Sequence, residues 1–590
     1  NLSTYGPNSI ETAIAITNFS FSSPSNLLQI IWQLGSPLEF ETQNITITQN
    51  NSMTFFTLPY TSAAGRNPVI SDEYGLTYLD GIQVICADAA LVDGFWQQVQ
   101  HNFDPNSLQL TVTFPHFLHT LLYDPIFAFN TTFYPLQSIT SASTSYNGGY
   151  DAPTDPGERA MASLSLVATG DSFITRRLPG GADQQALAAL IGAADARFTN
   201  FEVLTPGEDA TPNAVSGGTW ARAPDGVIAD LRALGFNMVS LANNHTLDYL
   251  HAGMAATGRA LDAHGMLHAG TGIHLADATR PRYLECPSAR VALIAVTASF
   301  HETAAAGQQR PDMPGRPGVS MLRHTTTYIL PPERLRALHE LAEESGINTG
   351  HKLRVKEGFA PELEEGVMLF GGHRFRAGPA ARVETTAKKQ DVARIVAAIG
   401  EARRQADHVL VSLHAHEMRG ATKSAPAAFV KDFSRACIDA GAHAVIGHGP
   451  HVLRGIEIHQ GRPIFYSLGN FIFHNETVPS LPSDFYEKFD LGLTENVADA
   501  IDKRSAGNTR GFATDPWAWK SVIARWRWQD GALAGLELVP VELGFGRPRA
   551  RRGTPRLSAD PAILRHLAEL SAPYGTRIDI GDGIGRVILG

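Results

Sequence analysis

The first 150 residues contain no lysine and a single arginine, Arg66, against ten acidic residues, a net charge of −9. Such a stretch offers no surface for nucleic acid or anionic membrane, both of which require clustered Lys and Arg. Cysteine is equally scarce. Cys86, Cys286 and Cys437 lie far apart, so the chain has neither a CxxC metal pair nor a disulfide framework. Cys437 falls in a helical pattern and reads as a small buried hydrophobe. No apolar run approaches the ~20 residues of a membrane-spanning helix, and no secretory signal opens the sequence.

At 590 residues the chain is well above the roughly 250–300 at which one core stops growing, so two or more domains are expected. Hydrophobic content of 43% with 18% charged residues marks a globular chain. The charge divides it: the last 440 residues carry 47 basic and 48 acidic side chains. Texture divides it too, from Asn, Ser, Thr and Phe early on to Ala, Arg and Gly later. Asn147-Gly148-Gly149-Tyr150 and the Pro/Gly-rich run Asp151 to Gly157 read as a linker. The expected division is a mainly-β module over 1–147, a linker over 148–160 and a second domain over 161–590.

The first module reads as an antiparallel β sandwich. Thr12 to Phe21, Ile45 to Leu58, Ile82 to Ala87 and Leu108 to Phe114 are strand-like, and Asp93 to His101 has helical spacing. It contains no catalytic constellation. The second domain alternates helical and strand patterns, as an α/β layered core requires. Helices are expected over Gln185–Ala196, Asp225–Leu234, Met254–His264, Asp391–Ala406 and Ala425–Ala440, with a buried strand at Val291–Val296. Two insertions interrupt it, at about 301–385 and at 475–515, the latter polar and irregular. Insertions near a binding rim commonly form lids or substrate walls.

Within that alternation, five apolar runs end in metal-binding residue types. Leu166 to Asp171 ends in a carboxylate, and Phe198 to Glu202 in Asn-Phe-Glu. Asn237 to His245 ends in Asn-Asn-His, with Asp248 beyond it; Val409 to Glu417 ends in His-Ala-His-Glu. The last, Ala444 to His448, enters a Gly/Pro turn carrying His448 and His451. Ligands of open α/β sheets bind at the carboxyl ends of strands, and neutral imidazole is a good ligand for zinc, manganese or iron. Each residue alone has a plainer reading. Asp171 suits a helix N-cap, Asn243 and Asn244 suit a turn, and His414 suits a satisfied core position. Together they form a metal-site pattern. His408 and His443 read as structural.

These blocks, in this order, resemble the CapA family of poly-γ-glutamate capsule biosynthesis proteins, within the calcineurin-like metallophosphoesterases. The matching residues are Gly170-Asp171, Asn200-Phe201-Glu202, Asn243-Asn244-His245 with Asp248, Ser412-Leu413-His414, Gly447 to Val452 and Ser467 to Phe471. The resemblance implies a four-layered α-β-β-α sandwich with one or two divalent ions (Mn, Fe, Zn or Ca). It implies Asp171, Glu202, Asn244, His414, His448 and His451 as ligands, and His245, held by Asp248, as the acid that protonates a leaving oxygen. Two departures stand out. The superfamily's Asp-x-His pair is absent, since Ser172 and Phe173 follow Asp171. The usual Trp-Gly after the fourth-block histidine is Ala415-His416, which adds His416 and Glu417 as acid/base candidates.

The expected activity is metal-activated water attacking poly-γ-glutamate or a related peptide or phosphoester. Arg310, Arg316, Arg323, Arg374 and Arg376 of the first insertion would suit a polyanionic carboxylate, with Arg316, Arg323 and Arg376 taken as the substrate-binding candidates. The family also implies two alternatives, epimerisation at a Cα of a peptide and a non-catalytic polymer-binding scaffold. The domain alone reads as cytoplasmic, and the family also admits an envelope-associated place.

Overall fold

A computed structural model describes residues 163–589 and, within 1–162, ten strands. Backbone packing divides the chain into two units, Asn1–Asp151 and Ala152–Gly590.

The first unit contains two antiparallel sheets. A six-stranded sheet runs in the order Ser20–Ser22, Leu27–Trp32, Gln43–Asn50, Met53–Pro59, Gln109–Pro115, Phe103–Asp104. A four-stranded one runs Glu11–Ile14, Phe129–Thr132, Ile82–Val84, Tyr78–Leu79. The single strand expected over Thr12–Phe21 is two, in different sheets, and Ile45–Leu58 is a hairpin in which Asn50 pairs with Met53. The helix expected at Asp93–His101 lies outside the described residues.

The second unit is an α-β-β-α sandwich. In its larger sheet, Leu164–Phe173, Ala196–Phe201, Met238–Ser240 and Leu267–Ala269 run parallel. Lys520–Gln529 and Ala532–Glu542 extend this sheet antiparallel on the other side. In the six-stranded sheet, Arg290–Thr297, His408–His414, Ala444–His448 and Arg462–Leu468 run parallel, between antiparallel edges Arg282–Glu285 and Leu453–His459.

Alternation along each strand assigns its faces. Val291, Leu293 and Ala295 enter the core between the sheets, with Leu166, Phe198, Met238, Trp526 and Trp528. Their neighbours Ala292, Ile294 and Val296 face outward onto helices Lys389–Ala402 and Ala428–Asp439, where Cys437 is buried. The larger sheet's outer face packs on Ala182–Gly192 and Gly226–Ala233 through Leu187, Ile191, Val227 and Leu231. Each such side chain contributes roughly 1.5–3 kcal/mol by leaving water.

Both insertions are ordered. Within 301–385, strands Val367–Phe370, His373–Ala377, His324–Leu330 and Arg382–Ala387 form a small sheet beside helix Pro332–Ser345. The segment 475–515, expected to be irregular, holds helices Ser483–Lys488 and Val497–Ser505. Phe485, Ala500 and Ile501 pack there with Leu204, Trp220 and Tyr249. The sequence signal for the second helix is the Asn496/Asp499 capping box.

Candidate metal centre

The strand periodicity that builds the inter-sheet core also delivers the candidate ligands. Leu410 points between the sheets, and so, two and four residues on, do Ser412 and His414. Ala444, Ile446 and His448 share that parity on the next strand. From the opposite sheet, Leu164–Phe173 reaches the same place through a bulge between Ala168 and Asp171. A bulge re-aims a side chain, and Asp171 meets the second sheet, where Gly449 N–H donates to its Oδ2 at 2.9 Å. The approach is tight enough to require Gly170, since a Cβ there would lie 1.8 Å from the Gly469 carbonyl oxygen. His451 follows the Gly-Pro turn with a left-handed backbone, φ 62°. Such a conformation costs of order 1 kcal/mol or more and concentrates at functional sites.

The result is a buried cluster of carboxylates and imidazoles. Asp171 Oδ1 lies 3.5 Å from His448 Nδ1 and 3.8 Å from His414 Nδ1, and its Oδ2 lies 3.9 Å from His451 Nδ1. Glu202 Oε1 is 3.6 Å from His414 Nε2. Three overlapping groups place ligand atoms within 4.8 Å of one another: Asp171/His414/His448, Glu202/His414/His416 and Asp171/Glu202/His451.

Burial sets the protonation states. Desolvation pushes the Asp171 carboxyl up to about 7, against hydrogen bonds from Asn200 and Gly449. It drives Glu202 well above the carboxylate range, helped by the charges of Asp171 and Asp248. Loss of solvent holds His448 and His451 down at about 3, and His414 and His416 well below the usual imidazole value. Four neutral imidazoles therefore face two carboxyl groups. Both oxygens of Glu202 are buried, and no donor reaches them except a proton shared with the Asp171 carboxyl. A buried acid lacking other partners is costly unless something supplies positive charge. The donor set therefore fits a divalent cation.

The remaining candidates are arranged around this cluster. His245 Nδ1 lies 2.7 Å from Asp248 Oδ2, and Asp248 also accepts from Gly217 N and Ala221 N. Asn244 donates to Gly217 O at 2.9 Å, while its Oδ1 is buried without a partner. His416 Nε2 lies 3.0 Å from His414 Nε2, among the cluster atoms. Glu417 instead accepts from Ser299 Oγ through both oxygens at 3.0 Å. A cavity of about 290 Å³ opens beside His416, Asn244 and Asp248.

The three arginines expected to bind substrate are held elsewhere. Arg323 makes a two-toothed ion pair with Asp391, Arg376 pairs with Glu384 at 2.8 Å, and Arg316 Nε donates to Ala305 O. None lines the cavity. An ion pair to the following helix, one within the insertion and a backbone carbonyl, all invisible in composition, satisfy them. His408 and His443 pack tilted against each other, with His443 edge-on to Trp528, and His443 Nδ1 accepts from Val409 N.

Sequence reading missed the positioning residues. Asn200 donates to Asp171 Oδ1 at 2.8 Å, Ser412 Oγ lies 2.7 Å from His448 Nε2, and Asn470 Oδ1 lies 2.9 Å from His451 Nδ1. All three sit inside the family-like blocks, so a signal existed, but it did not reveal which way their side chains turn.

The family profile described as "Bacterial capsule synthesis protein PGA_cap" matches residues 165–475. The chain belongs to the PGA_cap family. Two relatives from Sinorhizobium fredii (strain NBRC 101917 / NGR234), the uncharacterized proteins y4sH and y4uA, are each 34% identical over 464 residues, covering 76% of this chain and 98% of theirs. The PGA biosynthesis protein CapA of Bacillus subtilis (strain 168) is 44% identical over 75 residues, 13% of this chain and 19% of its own length. The PGA_cap match leaves residues 1–164 uncovered. Among the described residues, no helix is long and apolar enough to cross a membrane.

Proposed function

We propose that this PGA_cap protein is a metal-dependent hydrolase acting on poly-γ-glutamate or a related peptide or phosphoester. The observation that carries the reading is Glu202, a fully buried acid whose only polar neighbours are the Asp171 carboxyl and neutral imidazoles. On this reading Asp171, Glu202, Asn244, His414, His448 and His451 hold one or two divalent ions. When bound, such an ion supplies Lewis acidity and makes water a nucleophile near neutral pH.

The protein's own residues supply the rest. Ser412 accepts the Nε2–H of His448, leaving the Nδ1 lone pair turned towards Asp171 and His414. Asn470 accepts the Nδ1–H of His451, which frees Nε2. Such outer partners fix tautomer and ring orientation. Asp248 holds His245 through Nδ1, so Nε2 can carry a proton to a leaving group. His416, beside the cavity and His414, is placed to exclude water from the cluster or move a second proton. Residues 1–147 act as a separate module joined through 148–160.

The test is elemental analysis of the purified chain together with a screen of phosphoesters, γ-glutamyl oligomers and peptides in deuterated water, with His448→Ala alongside. Stoichiometric divalent metal and a cleavage activity lost in the variant support the reading. Deuterium entering at a Cα without cleavage would transfer the assignment to epimerisation. A metal-free chain indifferent to chelator would leave a scaffold.

A further inference from the structure

The three arginines expected to meet an anionic substrate are satisfied by other partners, which leaves open what receives the anion. Arg454 lies in strand Leu453–His459 and is fully buried. Its guanidinium has no carboxylate partner among the described residues. It donates instead to four carbonyl oxygens, those of Ala415 (3.1 Å), His416 (3.2 Å), Glu417 (3.0 Å) and Lys423 (2.8 Å). All four belong to the loop that leaves the His414 strand. A buried charge held only by carbonyl dipoles is costly, and here its effect is to fix one loop at both ends.

That loop presents Lys423. The side chain is exposed and makes no ion pair or hydrogen bond among the described residues. Its ammonium lies 5.0 Å from the centre of the Phe512 ring. Phe512, from the 475–515 insertion, packs edge-on against His451 with ring centres 5.3 Å apart. Lys423 and Phe512 do not line the cavity beside His416; the free ammonium stands one aromatic ring from His451, on a backbone pinned by the guanidinium that also pins His416.

We propose that Lys423 is a substrate-binding residue that receives an oxyanion, carboxylate or phosphate, of the molecule processed at the cluster, with Phe512 as the wall that confines it. This deepens the reading of the site as a hydrolytic centre and rests on that reading for the substrate's presence there. An ammonium serves as a point charge for either anion, and one over an aromatic face keeps its charge while losing some freedom. Arg454 is a positioning residue, since it acts through the Lys423 and His416 carbonyls.

The test is isothermal titration of the full chain, loaded with Mn²⁺, against tri-γ-glutamate, its fully amidated neutral analogue and inorganic phosphate. Wild type is compared with Lys423→Ala and Lys423→Arg, with melting temperatures as a check on folding. The expected result is that Lys423→Ala weakens one or both anions at least tenfold and leaves the neutral analogue unchanged. Lys423→Arg should stay within threefold, and added salt should weaken wild type more than Lys423→Ala. The pattern across the two anions identifies which oxyanion the site takes. Anion binding by Lys423→Ala within twofold of wild type would overturn the proposal, as would a wild-type chain that binds neither anion. Lys423-dependent binding without turnover of any substrate would sink the hydrolase reading while leaving the anion site standing.

Discussion

His414 and His448 are register partners on adjacent parallel strands, and their Nδ1 atoms stand 2.9 Å apart. Two neutral imidazoles can share that distance only if one donates, or if both lone pairs turn to a common cation. On the proposed reading Ser412, two residues before His414 on the same face and 2.7 Å from His448 Nε2, accepts the Nε2 proton and leaves Nδ1 to the cation. Ser412→Ala should weaken divalent-metal affinity by about 10–100-fold, the usual effect of removing a ligand's outer partner. The lost hydrogen bond should cost only about 1 kcal/mol of stability. Metal titration and urea unfolding of the same variant measure the two separately.

Glu202 supplies the second prediction. With no partner but the neighbouring Asp171 carboxyl and its own carboxyl raised by burial, it is suited to a bound ion and poorly suited to an empty site. Wild type should gain about 2.7 kcal/mol when the ion exceeds its dissociation constant a hundredfold. Glu202→Gln should lose most of that gain while the chelated protein stays at least as stable as chelated wild type. Calorimetry with Mn²⁺ and with EDTA gives all four values; an equal metal-induced gain in the variant would remove Glu202 from the ligand set.

The α/β alternation and the ligand-type residues at the strand tips were legible from local rules, while the four-layered sandwich and the ligand set were implied by the family resemblance. Alternation along Val409 to His414 assigns His414 a face before any tertiary contact is known, and the five strand tips point to one rim. What stayed hidden depends on partners distant in sequence. Asn200 and Asn470 read as members of motifs, but their roles come from meeting Asp171 and His451. Arg323 and Arg376 read as free cations because Asp391 and Glu384 become their partners only when the insertion folds. Glu417 looked equivalent to His416, until Ser299 claimed its carboxylate.

The histidine pair at the far end of the His414 strand predicts acid sensitivity. Desolvation lowers His408 to about 4 and His443 to about 2. Their neutral forms are favoured in the fold, so below about 6.5 the unfolded chain binds more protons than the native one. Their contribution is complete above pH 6.5 and is lost progressively as the pH falls towards 4. His443→Gln should flatten that dependence: urea midpoints at pH 7.5 and pH 5 should differ less for the variant than for wild type, with metal chelated in both.

Arg323 was a reasonable substrate candidate by charge alone, and its ion pair predicts a different phenotype. Asp391, in the first turn of helix Lys389–Ala402, is buried and accepts from both the backbone and the guanidinium of Arg323. Arg323→Ala should lower stability by about 1 kcal/mol, since the guanidinium is partly exposed and the backbone donor remains. KM for any anionic substrate should be unchanged. A raised KM with unchanged melting temperature would return Arg323 to the binding site.

Gly170 and Gly400 give a paired test of how the sheet edge creates the centre. Gly170 has no room, because a Cβ would meet the Gly469 carbonyl oxygen at 1.8 Å, and Asp171 N donates to that same oxygen at 3.0 Å. Gly170→Ala must push strand Asn470–Phe473 away from Leu164–Phe173, moving Asp171 and Asn470 together. Gly400, inside helix Lys389–Ala402, has nothing within 4 Å of a Cβ. Gly400→Ala should therefore stabilise by up to about 1 kcal/mol through helix propensity. Gly170→Ala should cost at the upper end of the ~1–3 kcal/mol typical of overpacking, and should weaken metal binding as well. If Gly170→Ala binds metal as tightly as Gly400→Ala, the close approach of these two strands is not what sets the position of Asp171.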